Sequence, residues 1–469
     1  MRAAVSSPAG RRSGRQSAEA EPKALEAPLA WPVKLFIISL AVPWEWAIGP
    51  AVVSPSRLVL LLSLPMCLIA WLSGKIGRFQ LTDFGVLFFT LWSAIALTIN
   101  AGSSSAVQSS GILFVETFGA YMLARRYVRS AEVLHSCMIF TAKMVACILP
   151  FALFEWITGK NILMMVADMF FNTLQYGNNP KRMGLWRVQS SFAHPIIFGL
   201  FSGSIIAFLA GDYLRKPAKG RAPLLLAVML TAITAMSSAP FAAMLLQLAM
   251  VGWNHALRNN AFRWKLLWLF VFAGYLLVEF GSNQTPIEFY ISRFTFEAES
   301  GWYRLAIWDF GSASVMNNPW FGIGLNDWAR PGWMYSDSVD NFWLLTAMRY
   351  GLPALIVLVV PVFISWMKIA RHTKGTSDVA FVRTCYLICM VAFALVGTTV
   401  HFWGAVYLWF FFLVGAGACL LDAPDSQQSE PISALSDRQS RHAERLAREA
   451  RAGRTREVPK RRFEHPQAR

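Results

Sequence analysis

The chain has 469 residues, of which 55% are hydrophobic, 14% aromatic and only 15% charged, with a formal net charge of +16. Soluble globular chains carry roughly 25% charged residues, and a soluble chain of this length needs water-facing surface on two or three domains. The composition therefore excludes a soluble enzyme, a nucleic-acid-binding domain and a disordered protein.

Residues 1–30 read as a disordered cytoplasmic tail, basic and rich in Ser and Ala. They contain no short apolar core of the kind a cleaved signal peptide carries. From there to residue 421 the apolar residues fall in long blocks. A run of about 20 such residues crosses a bilayer as a helix. Twelve spans are predicted, at about 31–49, 57–74, 81–99, 109–125, 132–156, 191–211, 223–237, 240–256, 264–281, 341–369, 380–398 and 403–421. The fold class is an all-α polytopic membrane bundle. Residues 422–469 follow as a basic cytoplasmic tail, whose segment Arg438–Arg456 is either a surface helix or a solvated charged stretch.

The two tails account for little of the charge. Residues 1–30 hold five Lys/Arg against three Asp/Glu and residues 422–469 eleven against eight, so +11 stays on the membrane body. Basic clusters at Lys75/Arg78, Arg125/Arg126/Arg129, Arg215/Lys216/Lys219/Arg221, Arg258/Arg263/Lys265 and Lys368/Arg371/Lys374 each follow an even-numbered span. Cytoplasmic loops collect such charge, so both termini are expected in the cytoplasm. The stretch 223–256 would be roughly 51 Å long as one helix. Ser237-Ser238-Ala239-Pro240 at its middle predicts a break and two short spans. The six cysteines lie in apolar segments without metal-ligand spacing and are expected to be buried thiols.

Two long loops, at about 158–190 and 282–340, then face the periplasm, and both carry cations against the topological rule: Lys181, Arg182 and Arg187 in the first, Arg293, Arg304 and Arg330 in the second. Arg is a planar fork that grips phosphate bidentately and keeps its proton. His194-Pro195 opens the following span. In the second loop Arg304, Trp308 and Asp309 lie within about a helical turn of one another. Pro319 with Gly322 and Gly324 predicts a tight turn whose backbone N–H groups suit an anion. Asp340 and Asn341 stand at the outer end of span ten, where a carboxylate is either a general base or an N-cap. Trp302, Trp308, Trp320, Trp328 and Trp333 are either sugar platforms or an interfacial belt. Intramembrane Glu45, Glu116, Glu155, Glu279 and Arg349 are costly in lipid and should face the bundle interior.

These stretches, in this order, resemble the O-antigen ligase and polysaccharide polymerase superfamily. The matches are Arg187 with Phe192-Ala193-His194-Pro195, Arg304 with Trp308, Pro319 with Gly322 and Gly324, and Asn341 with Leu344. The resemblance covers roughly 31–421 and is strongest in 301–353. Where the family has a His before the Asn, this chain has Asp340, and the later Gly-x-x-Gly reads Gly351-Leu352-Pro353-Ala354. The Val-Asp-Asn-Phe-Trp version looks more like the exopolysaccharide polymerases than the ligases.

The resemblance implies a GT-C-like glycosyltransferase of the bacterial inner membrane with its active site facing the periplasm. Its partners would be a polyprenyl diphosphate-linked oligosaccharide donor, a glycan acceptor, membrane lipids and chain-length-regulating or export proteins, with no nucleic acid. No cofactor and no metal are expected. Arg187 and Arg304 would act on the diphosphate and Asp340 on the acceptor hydroxyl. Arg293, Arg182, Lys181, His194, Trp308, Asp309, Gly322, Gly324 and Asn341 would bind substrate. An O-antigen ligase, a flippase of lipid-linked glycans and a non-catalytic assembly subunit are the competing classes. A flippase would predict internal repeats, and none is evident.

Overall fold

The computed structural model describes residues 27–48, 51–173, 179–215, 220–293, 298–373 and 375–421. The tails before 27 and after 421, with the proposed surface segment Arg438–Arg456, lie outside the described residues, as do Lys216, Lys219 and Lys374.

In chain order the elements are α1 Trp31–Ser39, the antiparallel hairpin β1 Trp46–Ile48 and β2 Ala51–Val53, α2 Pro55–Leu72, α3 Leu81–Ala101 and α4 Ser103–Phe114. A π-helical turn, Val115–Gly119, joins α4 to α5 Ala120–Tyr127. Then come α6 Ala131–Thr158, α7 Ile162–Asp168, α8 Pro195–Gly203, α9 Ile206–Arg215, α10 Arg221–Thr234 and α11 Ser238–Ala256. The last third holds α12 Arg263–Gly281, α13 Pro286–Arg293, α14 Ala298–Asn317, α15 Phe342–Arg371, α16 Ser377–Val396 and α17 Gly404–Ala416.

Seven helices among the described residues are long and apolar enough to cross a membrane: α2, α3, α6, α8 with α9, α12, α15 and α16. Two shorter apolar helices cover Arg221–Thr234 and Gly404–Leu420. The chain is a multi-pass, all-α membrane protein.

The expected span at 31–49 takes another form. Its helix stops at Ser39 after nine residues, and beyond Pro43 the chain turns into the hairpin, because proline offers no N–H and biases its predecessor away from helix. The break predicted near 237 is present, with α10 and α11 parted at Ala235–Ser237 and Met236 in a left-handed conformation at φ 45°. Pro240 falls in the first turn of α11, where its missing N–H costs nothing. A second break, between α8 and α9, is closed by Gln247 of α11. Its amide accepts from the Ala207 N–H (3.1 Å) and donates to the Gly203 carbonyl (2.9 Å), satisfying backbone groups that lipid could not.

α15 lies along α3, where Gly85 leaves room for Pro361; a β-carbon at 85 would stand 2.6 Å from the proline ring. Five of the cysteines are buried, whereas Cys147 is exposed on α6. Glu279 also departs from expectation. It is exposed on α12, a helix with no buried residue.

Contacts sort the helix ends into two groups. Bonds from Glu45 N–H to the Asn172 carbonyl, Val188 N–H to the Thr234 carbonyl and Asn100 Nδ2 to the Phe321 carbonyl gather both long loops at one end. At the other end Arg125 meets Asp83, His135 meets Asp212, and Arg215 meets Asp378.

Candidate active site

The first loop is pinned on both sides of its charged residues. Glu155, in the last turn of α6, accepts the N–H groups of Gln189 (3.0 Å) and Ser190 (3.1 Å). Asn161 Nδ2 donates to the Ser190 carbonyl at 2.6 Å. These bonds hold Ser190 at φ 54°, a conformation that costs a non-glycine residue on the order of 1 kcal/mol. Arg182 donates from Nη1 to the Met236 carbonyl at the α10–α11 break (3.0 Å). Lys181 lies exposed over the Trp186 ring, 4.6 Å from its centre.

His194 is the N-cap of α8, its Nδ1 accepting the Ile196 N–H at 3.1 Å, so that nitrogen carries no proton. Burial first, and then the charge of Arg187, push its pKa down to about 4. Arg187 therefore lies within electrostatic range of His194.

In the second loop α14 carries Arg304 and, one turn on, Trp308. Arg304 is 7% exposed. Burial lowers its pKa, Asp340 opposes that shift, and Arg182 adds to it. Arg304 thus lies within electrostatic range of Asp340 and of Arg182, which come from two other segments. Nε of Arg304, Nε1 of Trp308 and Nδ2 of Asn341 are buried without a hydrogen-bond partner among the described residues, as are Nε2 of Gln189 and the hydroxyls of Ser190 and Ser191. Each such group costs about 1–3 kcal/mol unless a ligand or water completes it. Asn341, not Asp340, is the N-cap of α15, its Oδ1 accepting the Leu344 N–H at 2.9 Å. That leaves Asp340 half-buried, with a bond from the Ser338 hydroxyl (3.2 Å).

Other expected residues fall elsewhere. Asp309 is exposed; five residues on from Arg304, it points about 140° round the helix at 100° per residue. The side chain of Arg293, at the end of α13, lies outside what is described. Trp328 is buried, donating to the Asp337 carbonyl at 3.0 Å, whereas Trp302, Trp320 and Trp333 are exposed.

Gly322 and Gly324 form a tight turn, at φ 58° and 67°, but do not present free N–H groups to an anion. α15 is kinked at Gly351 (φ 84°, ψ 168°). Pro353 has no N–H to give the Arg349 carbonyl, and the Leu352 N–H is diverted to the Pro319 carbonyl at 2.7 Å. The Ile323 N–H fills the Met348 carbonyl (2.8 Å) and the Gly324 N–H fills that of Arg349 (2.9 Å). The turn is a clasp on the kink.

A cavity of about 470 Å³ lies at the same end as both loops, with Glu45, Ser191 and Leu325 in its lining. Arg57, Glu116, Arg349, Tyr350 and His401 line it. Arg57 Nε and Glu116 Oε1 form an ion pair at 2.6 Å, and Glu116 sits in the π-helical turn, a distortion common at functional sites. Burial and Arg349 push His401 down to about 3. His401 stacks on Trp403, which also meets the His194 ring, both at 5.8 Å between centres. Sequence reasoning flagged Glu116 and Arg349 only as costly charges and passed over Arg57 and His401, although an Arg beside Leu58–Leu62 was a readable signal.

Residues 222–359 match the O-antigen ligase family. No curated protein matches the chain in sequence. The O-antigen ligase match includes Arg304, the clasp, Asp340, Asn341 and Arg349, while Arg182, Arg187, His194 and the Arg57–Glu116 pair precede it.

Proposed function

We propose that the protein is an inner-membrane glycosyltransferase that joins polyprenyl diphosphate-linked oligosaccharide units on the periplasmic face, as an exopolysaccharide or O-antigen polymerase. One observation carries this reading: Arg304, buried on α14 with its Nε unpartnered among the described residues, lies within electrostatic range of both Arg182 and Asp340. The reaction breaks the bond between the anomeric carbon and the diphosphate oxygen and forms a glycosidic bond to an incoming hydroxyl oxygen. Arg304 and Arg182 neutralise the charge gathering on the departing diphosphate, and fixed cations in a desolvated site are the largest single source of such stabilisation. Arg187, within electrostatic range of His194, supplies further positive charge. Asp340 accepts the hydroxyl proton, a contribution of about 10²–10⁴-fold. Attack opposite the leaving group inverts the anomeric centre. The unpartnered donors of Asn341, Trp308 and Gln189 suit sugar hydroxyls.

The test is the length distribution of surface and secreted polysaccharide in cells carrying Arg304→Ala at normal membrane level. Single repeat units in place of long chains are expected. Long chains stranded on the lipid carrier would identify a ligase instead, and unaltered chains would overturn the role of Arg304.

A further inference from the structure

Polymerisation of lipid-linked units brings two polyprenyl diphosphates to one enzyme, and the cluster around Arg304 answers for one of them. Arg349 stands apart from that cluster. It lies seven positions along α15 from Phe342 at its head, roughly 10 Å at 1.5 Å per residue. It lines the cavity together with two carboxylates. Glu116 is taken by Arg57 at 2.6 Å, and no ion pair joins Arg349 to Glu45 or to any other carboxylate among the described residues. Its neighbours in charge are the Tyr350 hydroxyl, to which it hydrogen-bonds, and His401.

A guanidinium stays charged at any physiological pH, and a cation facing an apolar wall inside a membrane protein calls for an anion. The wall here is made by Phe89, Leu97, Ile112, Leu113, Phe192 and Ile197. The space, about 470 Å³, is many times that of one water molecule. A planar fork facing an apolar wall, in a cavity where the charged groups of Arg57 and Glu116 are paired with each other, suits a phosphate attached to a hydrocarbon chain. The clasp adds precision, because the Arg349 carbonyl accepts the Gly324 N–H and so fixes where the side chain starts.

We infer that Arg349 is the phosphate anchor of a second lipid-linked substrate, whose first isoprene units lie along the apolar wall. This rests on the polymerase reading above. The experiment is native mass spectrometry of the full-length protein in neutral lipid, titrated with sugar-free polyprenyl diphosphate. Wild-type protein should hold two copies. Arg349→Ala and Arg304→Ala should each hold one, and Arg349→Lys, which keeps the charge, should hold two. Thermal unfolding of Arg349→Ala and of Arg349→Gln separates lost binding from lost fold. Two copies on well-folded Arg349→Ala, or one copy on wild type, would overturn the inference and leave the polymerase reading standing. No binding by wild type would overturn both. Displacement of the Arg349-dependent copy by equimolar inorganic pyrophosphate would show a free-phosphate site and overturn the lipid assignment.

Discussion

The two ends of the helix bundle are both basic, yet they treat charge in opposite ways. At the end away from the loops Arg125, His135 and Arg215 each have a carboxylate, while the buried Arg383 donates to the His372 carbonyl. Arg125 meets Asp83 at 2.8 Å with both side chains buried, His135 meets Asp212 at 2.8 Å, and Arg215 pairs with Asp378. Asp83 is further bonded by the Tyr121 hydroxyl at 2.5 Å and caps the start of α3 through the Gln80 N–H. At the loop end Arg304 and Arg349 are in no ion pair among the described residues. The compensated pairs at the far end are scaffold, whereas Arg304 at the loop end, buried and in no ion pair among the described residues, is the cation proposed to meet a ligand.

Four substitutions would break or sharpen that contrast. The largest effect belongs to Asp340→Asn, which should lower polymer formation by about 10²–10⁴-fold while leaving the thermal unfolding midpoint unmoved; transfer assays on purified protein measure the first and melting in detergent the second. Asp83→Asn should do the reverse, destabilising by about 3–5 kcal/mol because Arg125 is left buried without its counter-charge. Removing both partners, as Asp83→Leu with Arg125→Met, should restore most of the loss, and a double mutant no more stable than the single would refute the scaffold role.

Gly322→Ala should cost about 2 kcal/mol, since a β-carbon at φ 58° would stand 2.3 Å from the Met348 carbonyl oxygen. Protease sensitivity of the second loop would report the clasp opening.

The smallest effect is that of pH. His194 ionises at about 4 in the folded protein and near 6.5 when unfolded. The unfolded chain therefore takes up the proton first, so stability present above pH 6.5 is lost as the pH falls towards 4. The loss should be about 1 kcal/mol at pH 5 after allowing for solvent screening of the partly exposed ring. His194→Asn should flatten the melting-temperature profile over that range.

Much of the membrane body was legible from sequence, because hydrophobic blocks record burial directly. The helices over 81–99, 132–156, 264–281 and 380–398 have their expected counterparts, as does the break near 237. The hairpin at 46–53 was not. Trp46-Ala47-Ile48 and Ala51-Val52-Val53 are as apolar as a span, and periodicity cannot separate a short buried strand from part of a helix. Arg304 and Arg182 were readable as candidates because they are cations in long loops that the predicted topology puts outside, and Asp340 because it is a carboxylate at the head of a predicted span. Their convergence was not readable, because they come from three separate segments, Arg182 more than a hundred positions from Arg304. The clasp escaped for the same reason: a Gly-x-Gly pair looks alike whether its N–H groups face a ligand or a kinked helix. Asp309 failed on helical phase, five residues being the wrong interval for a shared face.

The clasp turns a loop outside the membrane body into part of a membrane helix. Two carbonyls of α15 take their hydrogen bonds from the 319–324 turn, and that turn accepts one in return. A push on the turn is therefore transmitted to the backbone of Arg349 without crossing any flexible joint, while Trp92 of α3 steadies both sides by donating to the Trp320 and Tyr350 carbonyls. A contact made at the turn is in this way coupled to the wall of the cavity that Arg349 lines.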